Sequence, residues 1–140
     1  MKNYMTINDI KRRVLIVDDE PINRELLGTM LSQTFEIATA SNGQEAMMML
    51  TQPDADYSLI LLDLLMPVMD GFEVIKNLRA NPDTADIQIV ILSALNSNED
   101  IVKGFNVGAN DFIMKPIIME KLLTCVVTQL QLVEAKKGGK

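Results

Sequence analysis

The chain has 140 residues, room for one ordinary domain, and its 13 Lys plus Arg against 19 Asp plus Glu leave a net charge of −6. It has no histidine and one cysteine, Cys125, which excludes Ser-His-Asp and Cys-His triads, His-ligated metals, a phosphohistidine carrier, a thiolate zinc site and an intrachain disulfide. A hydrophobic fraction of 48% suffices for a core, while the longest apolar run, Ala46 to Leu50, is far below the ~18 residues that span a bilayer.

The opening MKNYMTINDIKRR lacks an apolar signal core. The acidic balance gives no general attraction to nucleic acid or anionic lipid. The expectation is a cytoplasmic domain whose chemistry rests on carboxylates, hydroxyls and lysine, with no direct nucleic-acid binding and no membrane association.

Short apolar runs alternate with helical periodicity. Val14 to Val17 is a continuous apolar strand that stops at Asp18 and Asp19. Ile22, Leu26, Leu27, Met30 and Leu31 then follow at helical spacing. Phe35 to Ala40 reads as a second strand, Ser41-Asn42-Gly43 as a turn and helix cap, and Ala46, Met49 and Leu50 as the face of a second helix, with Met47 adding to it. Ser58 to Leu62 is a third strand, running into Asp63. After a loop with Pro67 and Asp70-Gly71, Phe72, Ile75 and Leu78 mark a helix that ends near Asn81-Pro82. Ile87 to Leu92 forms a fourth strand ending at Ser93, and Ile101, Val102 and Phe105 face one way from a short polar helix. Asp111 to Met114 is a fifth strand ending at Lys115-Pro116, and Met119, Leu122, Leu123, Val126, Val127, Leu130 and Val133 mark a final amphipathic helix. Residues 1–10 read as a loose lead-in, residues 11–133 as the folded domain and residues 134–140 as a fraying polar tail or the start of a linker.

Five β-α repeats predict a parallel sheet with helices on both faces, and apolar runs without alternation suit strands buried on both sides. In strand order 2-1-3-4-5 the ligand crevice lies between strands 1 and 3, at their carboxyl ends. Asp18, Asp19, Asp63, Ser93 and Lys115 all fall on that edge. Two carboxylates ~4 Å apart repel by about 4 kcal/mol at an effective dielectric of ~20, so one takes a proton or a cation sits among them. An all-oxygen donor set favours Mg2+, which in turn suits phosphate oxygens. Asp63 can act as a nucleophile toward phosphorus and Lys115 can hold a phosphoryl oxygen. Singly, each of these residues has an ordinary structural use, as a turn former, cap or solvated strand end, and Cys125 reads as an inert buried thiol. Their coincidence on four strand ends is what carries the functional reading.

Val17-Asp18-Asp19-Glu20-Pro21, then Asp63-Leu64-Leu65-Met66-Pro67-Val68-Met69-Asp70-Gly71, then Ser93-Ala94, then Lys115-Pro116 resemble the receiver domain of two-component response regulators, over roughly Arg13 to Val133. The resemblance implies a flavodoxin-like doubly wound α/β fold. It implies Asp63 as the acceptor of a phosphoryl group from a sensor histidine kinase or phosphotransfer protein. Asp18 and Asp19 become the acidic pair for Mg2+ (Mn2+ can substitute), with Asp19 the direct ligand, and the Leu65 backbone carbonyl completes the protein ligands alongside Asp63. Ser93 takes the switch hydroxyl position, Phe112 the switch aromatic position and Lys115 the phosphoryl contact, and Lys115-Pro116 is expected to be a cis bond. The expected output surface, and a possible homodimer interface, is helix 4, strand 5 and helix 5. Leu65 and Leu95, two residues after Asp63 and Ser93, should overhang the cleft and slow hydrolysis of an acyl phosphate.

Two other classes fit less well. A haloacid-dehalogenase-type phosphohydrolase resembles D-x-D-x-T at its nucleophile, whereas Leu65 stands where its general acid–base would be. A flavin carrier needs a Ser/Thr/Gly phosphate loop after strand 1, whereas this chain has Asp18, Asp19 and Glu20.

Overall fold

The computed structural model describes residues 12–66, 69–94 and 97–138. Five strands alternate with five helices: β1 (Arg13–Val17), α1 (Pro21–Leu31), β2 (Glu36–Ala40), α2 (Gly43–Leu50), β3 (Leu59–Leu62), α3 (Gly71–Ala80), β4 (Gln88–Ser93), α4 (Asn98–Val107), β5 (Asp111–Met114) and α5 (Met119–Gly138). The strands form one sheet in the order β2-β1-β3-β4-β5, and every pairing is parallel.

Side-chain alternation along the strands divides the core in two. Leu15, Val17, Ile60, Leu62, Ile89 and Ile91 face α2 and α3. Val14, Ile16, Leu59, Leu61, Val90 and Leu92 face α1 and α5. Each strand residue of β3 and β4 is buried, which is why those runs are apolar without alternation. Local chemistry fixes the helix starts. Pro21 opens α1, Asn42 accepts the Glu45 N–H at 2.8 Å, Asp70 accepts the Glu73 N–H at 2.9 Å, and Ser97 accepts the Asp100 N–H at 3.1 Å.

Register aligns the strand ends. Val17 pairs with Leu62, and Leu62 with Ile91, while Ser93 pairs with Met114. One step further the Asp63 N–H donates to the Val17 carbonyl at 2.9 Å and the Lys115 N–H to the Ser93 carbonyl at 2.9 Å. Asp18 and Asp63 therefore leave the sheet side by side, level with Leu92 and Ile113, and Ala94 and Lys115 leave it together two residues further along the same edge.

Several boundaries and faces differ from the sequence reading. Phe35 is buried but stands before β2, because its N–H still bonds the Leu31 carbonyl in the turn that closes α1. Ile22 at 78% exposure and Leu26 point away from the core, which α1 meets through Leu27 and Leu31. In α4 only Gly104 is buried, and Val102 and Phe105 face outward. α5 continues through Gly138, beyond the helix face read from the sequence, with Glu134 ion-paired to Arg12 ahead of β1. The lead-in at residues 1–10 lies outside the described residues.

Candidate functional site

β1 and β3 carry their last apolar residues into the core and release acids at the next position. Asp18 is 2% exposed and Asp63 7%, while Asp19 is exposed. One carboxylate oxygen from each of the three lies within 4.8 Å of the others. β5 delivers Lys115 to the same point, where its ammonium is 3.1 Å from Asp18 Oδ2 and 3.5 Å from Asp63 Oδ2. The Lys115-Pro116 peptide bond is cis.

The three acids are not equivalent. Asp18 Oδ1 accepts the Glu20 N–H at 2.9 Å, and Asp18 Oδ2 accepts from Asn23 at 3.4 Å and from Lys115 at 3.1 Å. Its main-chain carbonyl also accepts from Arg24 at 2.7 Å. Asp63 Oδ1 accepts the Leu65 N–H at 3.2 Å. Burial pushes the Asp63 carboxyl above its ordinary range, and the Asp18 charge adds to that rise; the Leu65 N–H and Lys115 oppose it. Burial alone would lower Lys115, but Asp63 and Asp18 outweigh it and hold the ammonium above its usual value. Burial thus disfavours the anionic form of Asp63, beside a cation that stays charged.

The donor set fits a divalent ion of the Mg2+ class. It is all oxygen, it is anionic, and it converges within one ion's reach. Two charges about 5 Å apart repel by about 3 kcal/mol at an effective dielectric of ~20, a strain that a cation among them relieves. The Leu65 backbone abuts Asp63 through its N–H, and the Leu65 side chain is 55% exposed at the rim.

Ser93 ends β4 fully buried next to the cluster, and Ala94 beyond it is exposed. Leu95 lies outside the described residues. Phe112 is half-buried in β5, and its ring packs under α4, 3.6 Å from where a Cβ on Gly104 would stand. Asn23 and Arg24 were not singled out in the sequence, and Glu20 was named only within the acidic stretch after β1. Their signal was their spacing after Asp18, which returns the first turn of α1 over the end of β1.

The family described as "Response regulator receiver domain" matches residues 14–127. The chain is 37% identical over 129 residues to a "Probable cyclic di-GMP phosphodiesterase" of Vibrio cholerae, spanning 91% of this chain and 29% of that protein. It is 41% identical over 106 residues to "Response regulator PleD" of Caulobacter vibrioides, spanning 75% of this chain and 23% of that protein. The chain therefore covers well under half of these relatives' length. Among solved structures, the receiver domain of a signal transduction histidine kinase from Syntrophus aciditrophicus superposes with a TM-score of 0.79 at 34% identity, covering 87% of this chain and 92% of that one. Chemotaxis protein CheY4 of Vibrio cholerae superposes with a TM-score of 0.77 at 32% identity, covering 84% and 98%. None of these matches supports a haloacid-dehalogenase-type phosphohydrolase.

Proposed function

The chain belongs to the response regulator receiver domain family, and on that ground we propose that Asp63 is its phosphoacceptor, charged by a sensor histidine kinase or a phosphotransfer protein in a Mg2+-dependent reaction. The observation that carries this reading is the convergence of the Asp18, Asp19 and Asp63 carboxylates within 4.8 Å beside Lys115.

Asp19 and Asp63 are the carboxylates open to a metal, with the Leu65 carbonyl as a third protein ligand; Asp18 is occupied by its own donors and orients the site. When bound there, Mg2+ (or Mn2+) would supply charge neutralisation for the incoming phosphoryl oxygens. An Asp63 carboxylate oxygen forms a bond to phosphorus as the N–P bond of the donor phosphohistidine breaks, and the released imidazole takes up a proton. Lys115, whose ammonium already reaches Asp63 Oδ2 at 3.5 Å, holds a phosphoryl oxygen. The chain acts as a signalling module with weak phosphotransfer chemistry of its own rather than as a turnover enzyme.

Phosphorylation adds charge and three strong acceptors at Asp63. The Ser93 hydroxyl moves toward them, which frees space behind β4 for the Phe112 ring. Phe112 has no hydroxyl, so no phenolic hydrogen bond holds it outward. The surface that changes is α4, β5 and α5. That face is where an output module, a partner or a second copy would read the state, and Val102 and Phe105 are exposed on it. The described residues include no helix long and apolar enough to cross a membrane.

Incubation with Mg2+ and acetyl phosphate, followed by intact-mass measurement, tests the assignment. Wild type gains one phosphoryl group and Asp63→Asn gains none. Equal labelling of the two would refute Asp63 as the acceptor.

A further inference from the structure

Gly71 opens α3 directly against the chain that carries Asp63. A Cβ at this position would lie 2.7 Å from the Asp63 carbonyl oxygen, 2.8 Å from the Leu64 Cα and 2.9 Å from Leu64 Cδ2. Two of these three atoms are backbone, so no side-chain rotation clears them. Ordinary contact begins at 3.4 Å, so about 0.7 Å of backbone movement would have to be found.

The surroundings decide which part moves. α3 is held to the sheet by Val74, Ile75 and Leu78, all fully buried. α2 stands beside α3 on the same face of the sheet, already in close contact with its first turn: a Cβ on Gly43 would meet the Met69 carbonyl and Val74 Cγ2, each at 2.7 Å. α3 can back away from β3 only by withdrawing Val74, Ile75 and Leu78 from the core. The Gly71 N–H also ties its own turn to the Leu64 carbonyl at 3.1 Å. The displacement therefore falls on the Asp63–Leu64 segment.

We infer that Gly71 is a positioning residue for the acid cluster: by lacking a Cβ it lets α3 press the backbone of Asp63 to the depth at which its carboxylate meets those of Asp18 and Asp19. The inference rests on the reading of Asp63 as phosphoacceptor and Mg2+ ligand. Mg2+ demands near-ideal octahedral geometry, and functional constellations tolerate about 0.5 Å of misplacement. A shift of about 0.7 Å exceeds that, and loss of such a support costs about 10- to 100-fold in metal affinity.

The test compares wild type, Asp63→Asn, Gly71→Ala and Gly108→Ala. Gly108 has φ +125°, and a Cβ there would press on Arg79 at 2.7 Å, at the sheet edge opposite the acids. Its alanine variant is a steric and stability control that leaves the cluster alone. Mg2+ binding is read by calorimetry with the metal alone, phosphorylation by intact mass with acetyl phosphate, and stability by metal-free thermal unfolding. Trimethylamine N-oxide, which favours the folded state, keeps a weakened variant readable. Gly71→Ala is expected to bind Mg2+ at least about tenfold more weakly and to label correspondingly more slowly, while Gly108→Ala, though destabilised, keeps wild-type affinity. Gly71→Ala within twofold of wild type, or Gly108→Ala losing as much affinity as Gly71→Ala, overturns the positioning role alone. Wild type that neither binds Mg2+ nor labels, or an Asp63→Asn protein that matches it in both, overturns the assignment of Asp63 beneath it.

Discussion

Asp63→Asn should reverse its rank against wild type when Mg2+ is added. Without metal, wild type holds a buried Asp63 carboxylate whose protonation is favoured by burial and by Asp18. The amide keeps the shape and drops the charge, so the variant should be the more stable protein near neutral pH. The gain is bounded by the repulsion of about 3 kcal/mol between charges about 5 Å apart, less what Lys115 returns as a counter-ion. With metal at about 100 times its dissociation constant, wild type gains about 2.7 kcal/mol, worth about 8 °C in a chain of this size, while the variant has lost a ligand and gains little. The pH dependence has a definite sign. A carboxyl whose folded pKa lies above its unfolded value favours the folded state at low pH, and that contribution is lost as pH rises through the folded pKa. The metal-free gap between the two proteins should therefore open as pH rises from about 4 and close on acidification. Thermal unfolding followed by circular dichroism, with and without MgCl2, reads all of this. A wild type indifferent to Mg2+, or an Asp63→Asn protein less stable than wild type in its absence, would refute the reasoning.

Three further outcomes follow from particular contacts. Leu65→Asn, alone and with Leu95→Gln, should shorten the life of the phosphorylated state severalfold, because an apolar side chain at the rim beside Asp63 offers an attacking water nothing to hold; phosphate release that is unchanged or slower defeats this. Arg79→Met should lower stability by about 3 kcal/mol in urea unfolding, since Arg79 donates to the carbonyls of Ala85, Ile87 and Gly108 and to Asn110 Oδ1 at 2.6–3.0 Å, and a loss below about 1 kcal/mol contradicts it. Cys125, pushed up to about 12 by burial and by its contact with Asp111, should alkylate at pH 8 at least about a hundredfold more slowly in the folded than in the unfolded chain. The unfolded thiol loses its proton first, so wild type should also lose stability relative to Cys125→Ala between about pH 9 and about 12.

The sheet was legible because its central strands are buried on both faces. The middle of β3 and β4 is an apolar run, Leu59–Leu62 and Ile89–Leu92, and each run breaks at a polar residue, Asp63 or Ser93, toward the carboxyl edge. For the same reason Asp18, Asp63, Ser93 and Lys115 could be placed on one edge before any coordinates. The direction of a helix face was less legible. Ile22 and Leu26 share the periodicity of Leu27 and Leu31, and Val102 and Phe105 flank Gly104, because a helix that buries one narrow stripe can carry apolar residues on another. Periodicity gives the spacing of a stripe and says nothing of which side meets the sheet. The close approach at Gly71 and the Arg79 clasp were not legible for a further reason: both depend on how α3 meets segments remote from it in the chain, which no local pattern encodes.

Charge makes the metal and the phosphoryl group at this site depend on one another. Three carboxylates and one ammonium give the cluster a formal charge of −2, and Asp18 already spends its oxygens on Glu20, Asn23 and Lys115. Converting the Asp63 carboxylate to an acyl phosphate adds further negative charge to a place where burial already disfavours one. A divalent cation bound by Asp19 and Asp63 would cancel that formal charge before transfer, so that only the charge added by the phosphoryl group remains afterwards. Binding couplings are reciprocal, so a metal that favours phosphorylation must itself be held more tightly once Asp63 is phosphorylated. Lys115 is ion-paired to both Asp18 and Asp63, so the one edge of the sheet that gathers the acids for a cation also holds the ammonium that meets an anion.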